Sequence, residues 1–168
     1  MFGGRRVQLI GSVKLFSEGI AAADLLKSDW GVDADLWGCP SFNELAREGH
    51  AAERHNLLHP TDKPRMSHVA HCLEGTDGPV VAATDYIRNY AEQIRAFVPR
   101  RYVVLGTDGF GRSDTREKLR HFFEVDRHWI VLAALKALAD DGKLPAPRDA
   151  EAMKKYGLSA AKPAPWTV

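Results

Sequence analysis

The residues best suited to bind a ligand form one glycine-rich segment, residues 106–113, which reads G-T-D-G-F-G-R-S. It lies between a predicted strand and a predicted helix, where exposed backbone N–H groups can hold an anion. The order G-x-x-G-x-G matches neither the dinucleotide fingerprint G-x-G-x-x-G nor a P-loop, which needs Gly-Lys-Ser/Thr. Arg112 favours an anion there, and Asp108 opposes one. Because glycines that admit positive φ explain this composition without a ligand, we predict a tight structural turn.

Histidines are the second set of residues that could do chemistry, because imidazole binds metals and transfers protons. His50, His55 and His59 are spaced by five and four residues, which does not place all three on one helical face. The sequence contains no H-E-x-x-H, the pattern of a helical zinc site. We therefore interpret these histidines as solvated or capping residues and predict no metal site.

Serine and cysteine are the remaining candidate nucleophiles. A hydrolase triad would use Ser12 or Ser113, but the sequence lacks the G-x-S-x-G elbow on which such a serine is usually presented. Cys39 and Cys72 form no C-x-x-C pair, and no basic cluster beside them would lower either pKa. We predict two unpaired, buried cysteines, as is typical of proteins in a reducing cytosol.

Composition narrows the class of protein. The 168 residues contain 23 Lys plus Arg and 22 Asp plus Glu, so no basic surplus is available to neutralise nucleic-acid phosphates. No run of 18 apolar residues occurs, so the sequence predicts no membrane span. We expect a cytoplasmic protein without nucleic-acid or membrane partners, folded as one domain over residues 1–168 with a proline-rich tail at about 143–168.

Four short apolar runs predict strands, at residues 7–10, 32–37, 80–83 and 102–105. The segments between them have helical spacing, and no tight hairpin signal such as Asn-Gly joins neighbouring runs. Strands separated by helices pair in parallel through right-handed crossovers. The predicted fold class is therefore α/β, a three-layer αβα arrangement with helices on both faces of a mostly parallel sheet.

Capping patterns predict where several helices begin. Ser41 and Glu44 form an S-x-x-E capping box, and Asp114 and Glu117 form a second capping pair. Asp126 is predicted to cap a helix that ends near residue 142. Because that helix is apolar on most sides over residues 129–135, we expect it to be buried or docked.

Three further segments complete the prediction. Apolar residues at helical spacing predict a helix through residues 20–26 and another over residues 87–97, the second capped by Thr84 or Asp85. Residues 50–66 are rich in His, Pro and charge with weak periodicity, which predicts a helix end and a long loop.

Several stretches together resemble one known family, the C-terminal domain of the homodimeric type of the first component of pyruvate dehydrogenase. These stretches occur in the expected order at residues 26–32, 41–49, 53–60, 83–86, 104–120 and 123–126. The shorter pattern Phe110-Gly111-x-Ser113 is similar to the C-terminal domain of transketolases, a wider group of the same architecture. In one departure, the family pattern Gly-Ser-Gly reads Gly11-Ser12-Val13 here, and a β-branched residue disfavours positive φ.

The resemblance implies an enzyme that decarboxylates pyruvate on thiamine diphosphate with magnesium and then acetylates a lipoyl group of the acetyltransferase component. It implies no cofactor and no catalytic residue in this segment, because Thr107-Asp108-Gly109 lacks the first glycine of the family's Gly-Asp-Gly signature and no Asn-Asn follows. The thiamine-binding domains would lie upstream of residue 1. The implied partners are those upstream domains, the dimer mate and the acetyltransferase component.

We expect the exposed glycine loop to make such contacts, because aromatic and arginine side chains are enriched at interface hot spots. Its residues are Gly109, Phe110, Gly111, Arg112 and Ser113. Two alternatives remain open at this point. One is a free-standing module that binds a small molecule or anion at the carboxyl ends of its strands, and the other is a hydrolase that uses Ser12.

Overall fold

The structure, a computed structural model, describes residues 5–145 and 147–168; residues 1–4 and 146 of the predicted domain lie outside this part. Its strands form one parallel sheet in the order β2-β1-β3-β4, which confirms the α/β class. The four strands found there are β1 (Arg6–Ser12), β2 (Asp33–Cys39), β3 (Val80–Ala83) and β4 (Tyr102–Leu105).

Helices cover both faces of this sheet, so the predicted three-layer arrangement is confirmed. Helices α1 and α6 pack on one face, with α7 outside α6, and α2, α3 and α4 lie on the other. The helices are α1 (Phe16–Trp30), α2 (Phe42–Leu58), α3 (His68–Leu73), α4 (Arg88–Glu92), α5 (Arg116–Phe122), α6 (Arg127–Asp140) and α7 (Arg148–Lys155).

The alternation of side chains along the strands builds two cores. Val7 and Leu9 of β1 pack in the core of the α1 and α6 face, and Ile10 packs in the core of the other face. The expected burial of α6 is confirmed, because Leu135 and Leu138 are fully buried between the sheet and its neighbouring helices. A helix that is apolar nearly all round needs contacts of this kind on several sides.

Helix α2 begins as predicted and ends within the predicted range. The Ser41 hydroxyl accepts a hydrogen bond from the backbone N–H of Glu44. The predicted helix end and long loop within residues 50–66 are confirmed, because α2 ends at Leu58 and the loop begins at His59. The face that α2 buries consists largely of Ala46, Gly49 and Ala52, and such small residues give a weak apolar periodicity in the sequence.

The predicted helix over residues 87–97 is divided in two. Helix α4 ends at Glu92, and a separate 3₁₀ turn covers Arg95–Phe97. The prediction that Thr84 or Asp85 caps it is also wrong, since the N-cap residue is Ile87 without a side-chain hydrogen bond. The Thr84 hydroxyl instead accepts from the N–H of Tyr86, and this local turn competes with helix capping.

Two predicted caps have different outcomes. The Asp126 carboxylate accepts from the N–H groups of His128 and Trp129, which confirms it as the cap of α6. At α5 the prediction is wrong by one residue, because Thr115 is the N-cap and its hydroxyl accepts from Lys118. The Asp114 carboxylate binds the N–H of Thr115 directly and so is already engaged outside the helix.

The proline-rich tail adds a helix that the sequence analysis did not predict. Helix α7 packs on α6, and the Tyr156 hydroxyl that follows it accepts a hydrogen bond from Trp30 and donates one to Asp29 of α1. Further along, the ammonium of Lys162 donates to the carbonyl of Phe122 and to the carboxylate of Glu124. The described part of the tail therefore clasps the α1 and α6 face and adds no strand to the sheet.

Among the described residues, no helix is both long enough and apolar enough to cross a lipid bilayer.

Candidate functional site: the carboxyl edge of the sheet

The loops that follow β1, β3 and β4 meet at the carboxyl edge of the sheet. Strands β1 and β3 are neighbours, but the chain leaves β1 through α1 towards β2, on the side away from β3. Open α/β sheets bind ligands in the crevice at such a reversal of strand order. The candidate site is thus formed by residues 13–15, 84–87 and 106–115.

Between β1 and β3, a hydrogen bond closes this crevice. The hydroxyl of Ser12, which is buried, donates to Oδ1 of Asp85 at 2.9 Å. The partner of Ser12 is therefore a carboxylate and not the imidazole that a hydrolase triad needs. A carboxylate at this position also opposes an anionic ligand.

The turn after β1 accommodates the departure from the family pattern at Val13. A Cβ on Gly11 would lie 2.9 Å from the Cα of Phe16, so only glycine lets α1 start this close to the strand. Val13 itself is not left-handed, because Glu124 is the non-glycine residue of the described chain with positive φ. The side chain of Val13 projects into solvent and is 75% exposed.

The glycine-rich loop is tied to the loop after β3 by its first residues. The N–H of Thr107 donates to the carbonyl of Tyr86 at 2.8 Å, and its hydroxyl donates to the carbonyl of Asp85. The Asp108 carboxylate accepts from the N–H of Arg88 and lies 3.2 Å from its Nε. These donors and charges are already engaged within the fold, which favours a structural turn over an anion site.

The middle of the loop rests on the C-terminal tail. Gly109 has φ +123°, and a Cβ there would lie 2.5 Å from the carbonyl oxygen of Pro165. The ring of Trp166 lies next to this contact, with the Arg88 guanidinium 4.9 Å from its centre. Gly109 is therefore required both by its conformation and by the close approach of the tail.

The remaining predicted loop residues separate into two environments. Phe110 projects into solvent and is 77% exposed. The guanidinium of Arg112 instead lies over the ring of Phe122, 4.2 Å from its centre. Arg112, Ser113 and Phe122 also line a surface cavity of about 300 Å³. The structure thus does not join Phe110 and Arg112 into one contact pair.

Five large apolar side chains are exposed along this edge, and we name them the carboxyl-edge patch. Of these five, Tyr86, Ile87 and Trp166 were not predicted as contact residues from the sequence. The signal for Tyr86 and Ile87 was an apolar pair that begins three residues after the end of β3. The members and their exposed fractions are Val13 75%, Tyr86 60%, Ile87 54%, Phe110 77% and Trp166 48%.

A buried carboxylate, which the sequence analysis did not single out, supports the loop after β1. Glu18 of α1 accepts from Arg120 at 2.7 Å and from the backbone and side chain of Arg127 at 3.0 Å. Arg120 also donates to the carbonyl of Lys14. Burial alone would raise the pKa of Glu18, but the hydrogen bonds and charges of Arg127 and Arg120 outweigh it and lower that pKa.

The histidines lie away from this edge and do not converge. The rings of His55 and His59 stack at 4.2 Å, and partial burial with the nearby charge of Arg65 lowers the pKa of His55. His50 contacts Glu53 instead. Across residues 5–145 and 147–168, no three His, Cys, Asp or Glu side chains are grouped so as to hold a metal ion.

The two cysteines differ in exposure, and this predicts a difference in reactivity. Cys39 is buried as expected, and burial raises the pKa of its thiol to about 11. Cys72 is only partly buried, and its sulfur lies 3.4 Å from Nε2 of His68. Because the thiolate is the nucleophile, iodoacetamide at pH 8 should label Cys72 in the native protein and Cys39 only after denaturation. Mass mapping of the labelled peptides checks this, and equal rates at both sites would contradict the burial of Cys39.

Comparison with known proteins shows related sequences over nearly the whole chain. A family model described as the transketolase-like TK C-terminal domain matches residues 3–126. The pyruvate dehydrogenase E1 component of Cupriavidus necator is 71% identical over 163 residues, which cover 97% of this chain and 18% of that protein. The proteins of the same name from Pseudomonas aeruginosa and Escherichia coli K12 are 59% and 47% identical over 93% and 94% of the chain, again 18% of their length.

The solved structures add a fold neighbour. A split-gene transketolase, described as an inactive β4 tetramer, superposes with a TM-score of 0.55 over 81% of this chain and 40% of its own, at 18% identity. At this identity the likeness concerns the fold alone. The chain spans about a fifth of the length of the curated relatives it matches.

Proposed function

Because the chain belongs to the transketolase-like TK C-terminal domain family, we propose that it is the C-terminal domain of a pyruvate dehydrogenase E1 component and serves in the assembly of that enzyme. The observation that carries this proposal is the match of 93–97% of the chain to proteins of that name, of which it forms 18%. We take residues 1–168 as one domain, with the tail as its clasp.

The whole enzyme would decarboxylate pyruvate from glycolysis on thiamine diphosphate and magnesium, as a cytoplasmic homodimer, and acetylate a lipoyl group of the acetyltransferase component. The residues of this chain do not fit that cofactor. Asp108, the acid of the partial signature, is paired with Arg88, and the described residues offer no metal-binding group of three side chains. The proposed role is therefore structural, with no catalytic step assigned to this domain.

Within this role, we assign the loop of Gly109, Phe110, Gly111, Arg112 and Ser113 to protein contact. Phe110 is the member that is free to make it, because Arg112 already lies over Phe122. Upstream domains of the enzyme, its dimer mate and the acetyltransferase component are the proposed partners.

A chimera tests the proposal. In the Cupriavidus necator enzyme, this chain replaces the 163 residues that it matches, and a second version lacks those residues altogether. We expect the chimera to keep the oligomeric state and pyruvate-dependent lipoyl acetylation of the parent, measured by light scattering and by activity. The truncated version should lose both. If the truncated version assembles and turns over as the parent does, the domain has no assembly role.

A further inference from the structure

Resting on the proposed function, we infer that the carboxyl-edge patch docks on the remainder of an E1 polypeptide and that the C-terminal segment 162–166 holds it in the docking geometry. The patch comprises Val13, Tyr86, Ile87, Phe110 and Trp166, each 48–77% exposed. Apolar side chains grouped in this way on a protein surface mark interaction sites. Three of the five are aromatic, the class enriched at the centres of interfaces.

The patch is rigid before any partner binds. The bond from Ser12 to Asp85 fixes the loop of β1 to that of β3, and the two bonds of Thr107 fix the loop of β3 to that of β4. A preformed surface avoids the entropy cost of ordering loops on association. Beside the patch, the charges of Arg88 and Asp108 are paired, and the Asp85 carboxylate accepts a hydrogen bond from Ser12.

The tail completes the patch and fixes two of its aromatic members, Phe110 and Trp166. Lys162 anchors the tail by its bonds to the carbonyl of Phe122 and to Glu124. Three residues later, the carbonyl of Pro165 meets Gly109, and Trp166 lies against Arg88. The position of Phe110 beside Gly109 therefore depends on the tail.

The proposed binding partner of the patch is the part of the E1 polypeptide outside this chain. Relatives of this chain contain about four-fifths of their length beyond the matched segment, so a large protein surface is available in cis. The five members of the patch are all apolar or aromatic, so the patch fits a largely apolar protein surface better than a highly charged one, which would need complementary charges.

A matched pair of substitutions in the full-length chimera tests the surface. Phe110→Ala truncates a side chain of the patch that is 77% exposed. Leu57→Ala truncates an equally exposed apolar side chain, 78%, which lies on α2 and does not belong to the patch. We expect limited proteolysis to release the C-terminal domain at least about tenfold faster from the Phe110 variant, the size of effect typical of an interface hot spot. The Leu57 variant should match the parent. Equal release from both variants would overturn the inference.

Two neighbouring glycines test the tail. Gly109→Ala introduces a Cβ that meets Pro165, whereas a Cβ on Gly111 meets nothing within 4 Å. The Gly109 variant should release the domain faster and the Gly111 variant should not, with circular dichroism showing that both remain folded. If Gly109→Ala leaves release unchanged, the tail does not hold the patch.

The outcomes separate this inference from the proposed function. If deletion of the domain abolishes assembly but Phe110→Ala does not change the rate of proteolytic release, the patch is not the docking surface. The proposed role in assembly would then still stand. Light scattering of the isolated chain adds a further outcome: a dimer that Phe110→Ala dissociates would make a second copy the occupant and overturn docking in cis.

Discussion

Gly78→Ala is expected to lower the free energy of unfolding by at least about 3 kcal/mol, because overpacking and backbone strain act together. Gly78 has φ +86°, in the turn that leads into β3. A Cβ there would lie 2.6 Å from the carbonyl carbon of Arg6 and closer still to its oxygen. Both clashing atoms belong to the backbone of β1, so the clash can be removed only if the central strands β1 and β3 move apart.

Gly75 provides the matched control for Gly78. It has φ +76°, but a Cβ on it meets nothing within 4 Å. Gly75→Ala should therefore show the conformational cost alone, about 1 kcal/mol. Urea unfolding followed by tryptophan fluorescence measures both variants, and equal destabilisation would contradict the close approach of β1 to Gly78.

Glu18→Ala is expected to cost about 3 kcal/mol. Its carboxylate is almost fully buried and receives hydrogen bonds from Arg120 and Arg127. Removing one partner of a buried ion pair leaves the other charges uncompensated, which costs roughly 3–5 kcal/mol; the partial exposure of Arg127 places this case at the lower end. Glu44, also in the first turn of its helix, pairs with Arg47 on the surface, so Glu44→Ala should cost less than about 1 kcal/mol.

The stabilisation by Glu18 should depend on pH in a defined direction. Its pKa in the folded protein lies below the ordinary value of 4.5, so folding favours the ionised carboxylate. The contribution is complete above about pH 4.5 and is lost as the pH falls through the folded-state pKa. The difference between the parent and Glu18→Ala, measured by urea unfolding, should shrink below that pH. A difference that grows on acidification would contradict the pairing.

The sequence predicted the elements whose signal is local. The strand at residues 80–83 and the caps at Ser41 and Asp126 are confirmed, because an apolar run and a capping side chain act over a few neighbouring residues. The end of α2 was predicted only to within residues 50–66, because its buried face is built largely of alanine and glycine. The residues around Thr84 were misassigned because a side chain can bond to a turn as readily as to a helix.

Features that depend on distant contacts could not be predicted. Glu18 and its partner Arg120 are 102 residues apart, and no spacing rule joins them. Gln8 lies in an apolar run yet is fully buried, because its amide bonds to Asp35 and accepts from Trp37 across the sheet. The carboxyl-edge patch likewise forms only when the tail returns to the loop of Gly109.

Hydroxyl-radical footprinting of the full-length chimera tests the account most directly, because oxidation reports the solvent exposure of each side chain. Phe110, Tyr86 and Trp166 are exposed in this domain, as are Leu57 and Met66 on its far side. We predict that the three aromatic side chains are protected in the chimera while Leu57 and Met66 are oxidised freely. If Phe110 and Trp166 are oxidised as fast in the chimera as in the isolated domain, the domain does not dock through this edge.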